Sequence, residues 1–268
     1  MFPMAKAFVF ATIAVLVAVA PARAAPGLEP HLAAYRLALH GKERSSALTD
    51  VKGGLVIEWR LACDGWLSRQ RLSFAATAEE GPGFSHDVRF SSWEALDGSR
   101  MRYTIRSYSA DGVEKEYRGE ARLEPGGAGG VASFSTPEAK EIKLPPGTIF
   151  PTEHLQRVLT GADKGMRLLS HDVFDGWGFD ALTQITSVIG SPRKIEIHTG
   201  AATDSSSESA WPISMAYYNV EHPTDTPEFE ANFLLSEKGV LRDLVLDYGD
   251  FSLDAKLEKF ELIDRPKC

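Results

Sequence analysis

The chain of 268 residues carries 29 Lys and Arg against 37 Asp and Glu, a formal net charge of −8, and no basic cluster is visible along it. With that balance and no basic cluster along the chain, nucleic acid is not expected as a partner. Beyond residue 24 no uninterrupted apolar stretch approaches the about 20 residues that a membrane helix needs, so the mature protein is expected to be soluble.

Residues 1–24 read as a secretory signal: Lys6 precedes the apolar run Ala7 to Ala20, and Ala22-Arg23-Ala24 puts small residues where a signal peptidase reads them. The competing reading, a single N-terminal membrane anchor, needs a longer run, and no Cys follows the signal to carry a lipoprotein anchor. Cleavage after Ala24 takes 24 of the 268 residues, leaves 25–268 as one expected domain, and removes Lys6 and Arg23, so the net charge falls to −10. Export to the periplasm would place Cys63 and Cys268, the only two cysteines, where a disulfide persists, and they are expected to be bonded. Metal binding by these two would call for a C-x-x-C pair or a neighbouring His cluster, and neither is present.

From Ala33 onward the period is two. Ala33, Tyr35, Leu37 and Leu39 share a face, and Leu55, Ile57, Trp59 and Leu61 alternate with Val56, Glu58 and Arg60. Asp64-Gly65 signals a hairpin into Trp66, Ser68, Gln70, Leu72 and Phe74. Asp97-Gly98 and Asp111-Gly112 bracket Met101, Tyr103 and Ile105, giving a meander whose short connections require antiparallel pairing. Loops are expected over Glu124 to Gly130, Leu144 to Thr152 and Thr199 to Ser209.

One segment reads as helix. Pro151-Thr152 opens it with Thr152 as cap and Glu153 in the first turn; Leu155, Val158 and Leu159 set its face, and Gly161 is expected to end it. Asp180 to Ile189 suits helix or strand, and strand is preferred for its β-branched residues. Strands then resume with Phe229, Ala231, Phe233 and Leu235, a turn at Lys238-Gly239, and Val240, Leu244, Leu246 and Tyr248. After Gly249-Asp250, Phe251 to Leu257 hold one phase while Phe260 and Leu262 fall on the other, which predicts a β-bulge near Glu258 or Lys259. The fold class is mainly β: a large antiparallel curled sheet, a β-spiral or cup of about a dozen strands, with one or two short helices. Its interior is either filled by Trp59, Trp66, Trp93, Trp177, Trp211 and the Tyr217-Tyr218 pair or left partly open to an apolar ligand.

Catalytic residues, metal ligands and cofactors are all expected to be none. Ser191-Pro192-Arg193-Lys194 matches S-x-x-K, but Pro192 sits in a turn and neither S-D-N nor K-T-G follows. The seven histidines show no i, i+4 pair and no H-E-x-x-H. His171-Asp172 would point to opposite faces of a strand, and Thr152-Glu153-His154 reads first as a helix start rather than a Glu-His pair.

Together, Cys63-Asp64-Gly65-Trp66, Leu144-Pro145-Pro146-Gly147-Thr148, Phe150-Pro151-Thr152-Glu153-His154 and the terminal Cys268 resemble the alphaproteobacterial envelope integrity protein B family, over about His31 to Cys268. The resemblance implies a periplasmic β-spiral with a helix in or beside a cup, a Cys63–Cys268 disulfide, and a distant likeness to lipoprotein-carrier folds. It also implies a role in maintaining the envelope, with a periplasmic tetratricopeptide-repeat protein as partner and no catalytic residues. Three functions stand in order: a non-enzymatic envelope factor that binds a protein partner, a carrier of a lipid or lipoprotein, and an envelope hydrolase.

Overall fold

The structure, a computed structural model, describes residues 26–41, 48–109, 112–198 and 205–268; the expected signal 1–24 and most of the Asp111-Gly112 turn lie outside these. The described residues form fifteen strands: β1 (His31–Leu39), β2 (Leu48–Leu61), β3 (Gly65–Ala78), β4 (Phe84–Ala95), β5 (Arg100–Ser109), β6 (Gly112–Leu123), β7 (Gly130–Thr136), β8 (Lys140–Leu144), β9 (Leu168–Phe174), β10 (Leu182–Ile189), β11 (Arg193–His198), β12 (Ser205–Asn219), β13 (Phe229–Ser236), β14 (Leu241–Asp247) and β15 (Ser252–Leu262). The helix α1 (Pro151–Asp163) interrupts them between β8 and β9.

All fifteen strands belong to one antiparallel sheet ordered β8-β7-β6-β5-β4-β3-β2-β1-β15-β14-β13-β12-β10-β9, with β11 added to β12. Two meanders are thus sewn together where the first strand pairs with the last. Ile149 then reaches across from the end of β8 to bridge β9, accepting from Phe174 N–H and donating to Asp172 O at 3.0 Å each, so the spiral is nearly closed. The period-two pattern drives this: Ala33, Tyr35 and Leu37 of β1 and Leu55, Ile57 and Trp59 of β2 all turn inward and are buried. The register of β1 against β15 passes from Ala34–Lys259 to Tyr35–Leu257, leaving Glu258 as the extra residue of the bulge that the phase change predicts. Residues 182–189 form a strand, the preferred reading.

The structure corrects several expectations. Thr199 to Ser209 is not all loop: β12 begins at Ser205, and Ser209 is buried in it, while 199–204 lie outside the described residues. β12 pairs with β11 up to Ala210 and with β10 from Ile213. Pro212 sits between the two, where the missing N–H is not needed. Gly161 does not end α1 but lies buried inside it, where an added Cβ would stand 2.8 Å from Leu169 Cδ1. The helix ends instead at Lys164 and Gly165, whose φ of 74° lets Gly165 and Met166 donate back to Ala162 O and Gly161 O.

Nor does Thr152 cap the helix. The N-cap position is Phe150, without a side-chain bond, and the backbone N–H of Thr152 donates to Glu94 Oε2 at 2.9 Å. A buried carboxylate on β4 therefore serves the helix end that the sequence assigned to a hydroxyl.

Candidate functional site: an apolar cavity inside the cup

The inner faces of two strand groups meet across the cup. Leu55, Ile57, Trp59, Gln70, Leu72, Val88, Phe90 and Ile105 come from β2–β5; Met215, Tyr217, Phe229, Ala231, Phe233, Leu244 and Leu246 come from β12–β14. The helix packs Val158, Leu159 and Ala162 into the core beside them, but at 13 residues it is too short to fill the space. A cavity of about 470 Å³ remains, within the range of small-molecule sites. Leu72, Val88, Phe90, Phe229, Leu241 and Tyr248 line it and stay only half-buried, as residues do beside a void. Trp177, 42% exposed, stands on its rim.

Of the aromatics expected inside, Trp59, Trp66 and Trp211 are buried. Trp93 lies on the outer wall beneath Arg102, 4.5 Å from its ring, so it belongs to neither core nor cavity. A row of rings leads outward: Tyr217–Phe229 at 5.1 Å, Phe229–Tyr248 at 5.0 Å, Tyr248–Phe251 at 5.1 Å, then Phe74 and Phe84. Phe84 ends it at the surface, 46% exposed.

Few polar groups reach the cavity. His154, in the first turn of α1, has Nδ1 3.3 Å from His171 Nδ1, so one ring must donate to the other. Burial, then the neighbouring His171 and Arg157, push His154 down to about 3, which keeps it neutral, and its Nε2 is buried with no partner among the described residues. Asp175 accepts from Trp177 N–H at 2.8 Å and burial pushes it up to about 6. Burial also pushes Tyr217 and Tyr248 up to about 12. The lining contains no Ser, Thr, Cys or Lys. Such a wall can hold an apolar body and hydrogen-bond a small polar end; its hydroxyls are the phenols of Tyr217 and Tyr248, and it has no serine, threonine, cysteine or lysine.

Neither the His154–His171 contact nor Glu94 was read from the sequence. The two histidines are 17 residues apart with no motif spacing. Glu94 did leave a signal: it continues the inward phase of Val88, Phe90 and Ser92, where a carboxylate is out of place.

Ser191 lies between β10 and β11, 3.2 Å from an Arg167 nitrogen and on no helix. His171 faces His154, while Asp172 uses its backbone carbonyl to bond Ile149. Cys63 and Cys268 are joined, with Cα atoms 5.7 Å apart, and this ties the chain's end to the β2–β3 turn. Among the described residues no group of three or more His, Cys, Asp or Glu is placed to hold a metal.

A nearly closed antiparallel spiral around an apolar cavity, with one helix and one disulfide, defines a barrel-like class of β protein. The chain belongs to the EipB-like family, whose sequence model matches residues 22–264. It is similar to the cell envelope integrity protein EipB of Brucella abortus (strain 2308), 31% identical over 252 residues that span 92% of this chain and 89% of that protein. Its fold matches the crystal structure of a β-barrel-like protein of a domain of unknown function from Brucella abortus, with a TM-score of 0.79, 28% identity, and coverage of 90% of this chain and 100% of that one.

Proposed function

We propose that this chain supports the integrity of the cell envelope as an exported, non-enzymatic binding protein that carries a hydrophobic molecule in its cup. The envelope role rests on family membership and on the name of the Brucella relative. The carrier role rests on one observation: the cavity of about 470 Å³ lined by apolar and aromatic side chains. A pure scaffold would gain from closing the cup over the apolar side chains that stay half-buried, since apolar area removed from water stabilises by about 25 cal/mol per Å². The cavity thus favours the carrier expectation over a factor that acts through protein contact alone. A lining without Ser, Thr, Cys or Lys supports binding over hydrolysis.

The test is titration of mature protein with a fluorescent long-chain fatty acid. Saturable binding is expected, and Ala231→Trp, which fills the cavity from the floor of β13, should weaken it at least about tenfold while keeping the β circular-dichroism spectrum. Binding unchanged by the filled cavity would place the probe elsewhere and refute the proposal.

A further inference from the structure

On an acidic chain, the outer side of β2–β6 is positive. Register places Arg71, Arg89 and Arg106 directly opposite one another on three adjacent strands. Like charges so paired are destabilising, so the row works against the sheet that carries it. Arg69, Arg102 and Arg118 flank the row, with Ser91, Thr104 and Ser133 between them. Arg60, Arg100 and Arg122 extend the face.

Four carboxylates among the arginines of this wall do not neutralise them, because each is shared by two. Glu58 serves Arg60 and Arg69, Asp87 serves Arg71 and Arg89, Glu116 serves Arg106 and Arg118, and Glu120 serves Arg100 and Arg122. Arg102 stacks on Trp93 instead. The paired arginine side chains stay 40–69% exposed. With strands about 4.8 Å apart, the five present a positive surface about 20 Å wide. β13 and β14 carry Glu230, Asp243 and Asp247 against one Arg242, with Glu230 and Asp247 directly paired.

We infer that the outer wall of β2–β6 docks on an anionic phospholipid surface. Charge complementarity carries the inference: guanidinium groups are spread over a broad sheet face with hydroxyls between them, suited to many phosphates at once. The acidic strands β13 and β14 would be repelled by the same surface, which orients the molecule. A second copy is a poorer occupant, since a basic wall meeting an acidic one head to tail forms an open polymer rather than a closed pair. The sequence hides this face because its arginines alternate with inward residues and never form a run.

Flotation of the mature chain with vesicles tests this. Vesicles of phosphatidylcholine with a quarter phosphatidylglycerol should carry the protein upward at low salt and release it at high salt, while phosphatidylcholine alone should not. Each arginine near such a surface is worth about fivefold in partitioning, so Arg71→Gln/Arg89→Gln/Arg106→Gln should lose about a hundredfold and Arg89→Gln alone about fivefold. Glu230→Gln with Asp247→Asn, on the opposite wall, should not reduce binding. Binding that ignores phosphatidylglycerol, or that survives the triple change in a folded variant, overturns the proposal. So do salt-labile oligomers without vesicle binding, which assign the wall to a second copy, and capture by polyglutamate without vesicle binding, which assigns it to an acidic protein.

Discussion

Replacing Glu94 by Gln probes the polar joint between sheet and helix. The carboxyl is 2% exposed, accepts Thr152 N–H at 2.9 Å, and is pushed by burial from 4.5 up to about 7. A carboxyl whose folded pKa lies above its unfolded value holds its proton more tightly in the folded chain. Its contribution to stability is therefore whole below about pH 4.5, declines as the pH rises toward 7, and is lost above that. At 1.36 kcal/mol per pH unit the displacement amounts to on the order of 3 kcal/mol, or about 6–12 °C of melting temperature for a chain of this size. Gln keeps the shape and the acceptor without the charge. Thermal unfolding followed by circular dichroism should find Glu94→Gln close to wild type near about pH 5 and higher-melting near about pH 8, approaching that limit. Comparing variant with wild type at each pH cancels other titrations, including the buried His154, whose lowered pKa acts in the opposite direction. A Gln variant that melts below wild type at the higher pH is the contrary outcome. It would mean that the ionised carboxylate's bond to the helix end outweighs its desolvation.

Cys63→Ser and Cys268→Ser should lower the melting temperature by similar amounts, within the about 5 kcal/mol that chain entropy allows for so long a loop, and the double variant should lose little more; additive losses would contradict a shared bond. Gly119→Ala should cost about 1–3 kcal/mol in urea unfolding, because the new Cβ would stand 2.4 Å from Ser133 O and 2.4 Å from Tyr103 Oη. Tyr103→Phe removes a buried hydroxyl with no partner among the described residues and should keep or raise stability; a loss above about 1 kcal/mol would reveal a bond to water.

What was legible in the sequence is what strand periodicity encodes. Alternation at Ala33–Leu39 and Leu55–Leu61, the hairpin signals Asp64-Gly65 and Asp97-Gly98, and the phase break before Phe260 each correspond to an observed strand, turn or bulge. Local capping rules failed where tertiary contacts override them. Thr152 cedes its role to Glu94, 58 residues away, and Gly161 yields the helix end to Gly165, lying instead where a Cβ would meet Leu169. The cavity could not be decided from composition, because its volume depends on how tightly the sheet curls and how far α1 reaches into it. The arginine wall was invisible for a related reason: its members meet only through register, across strands.

A hydrophobic molecule carried in the cup, as proposed, would travel with the protein. Mature protein purified without refolding from its own envelope should show, in native mass spectrometry, an excess mass that organic extraction removes and that Ala231→Trp abolishes. A mass repeatedly equal to that of the bare chain would rule out such a cargo.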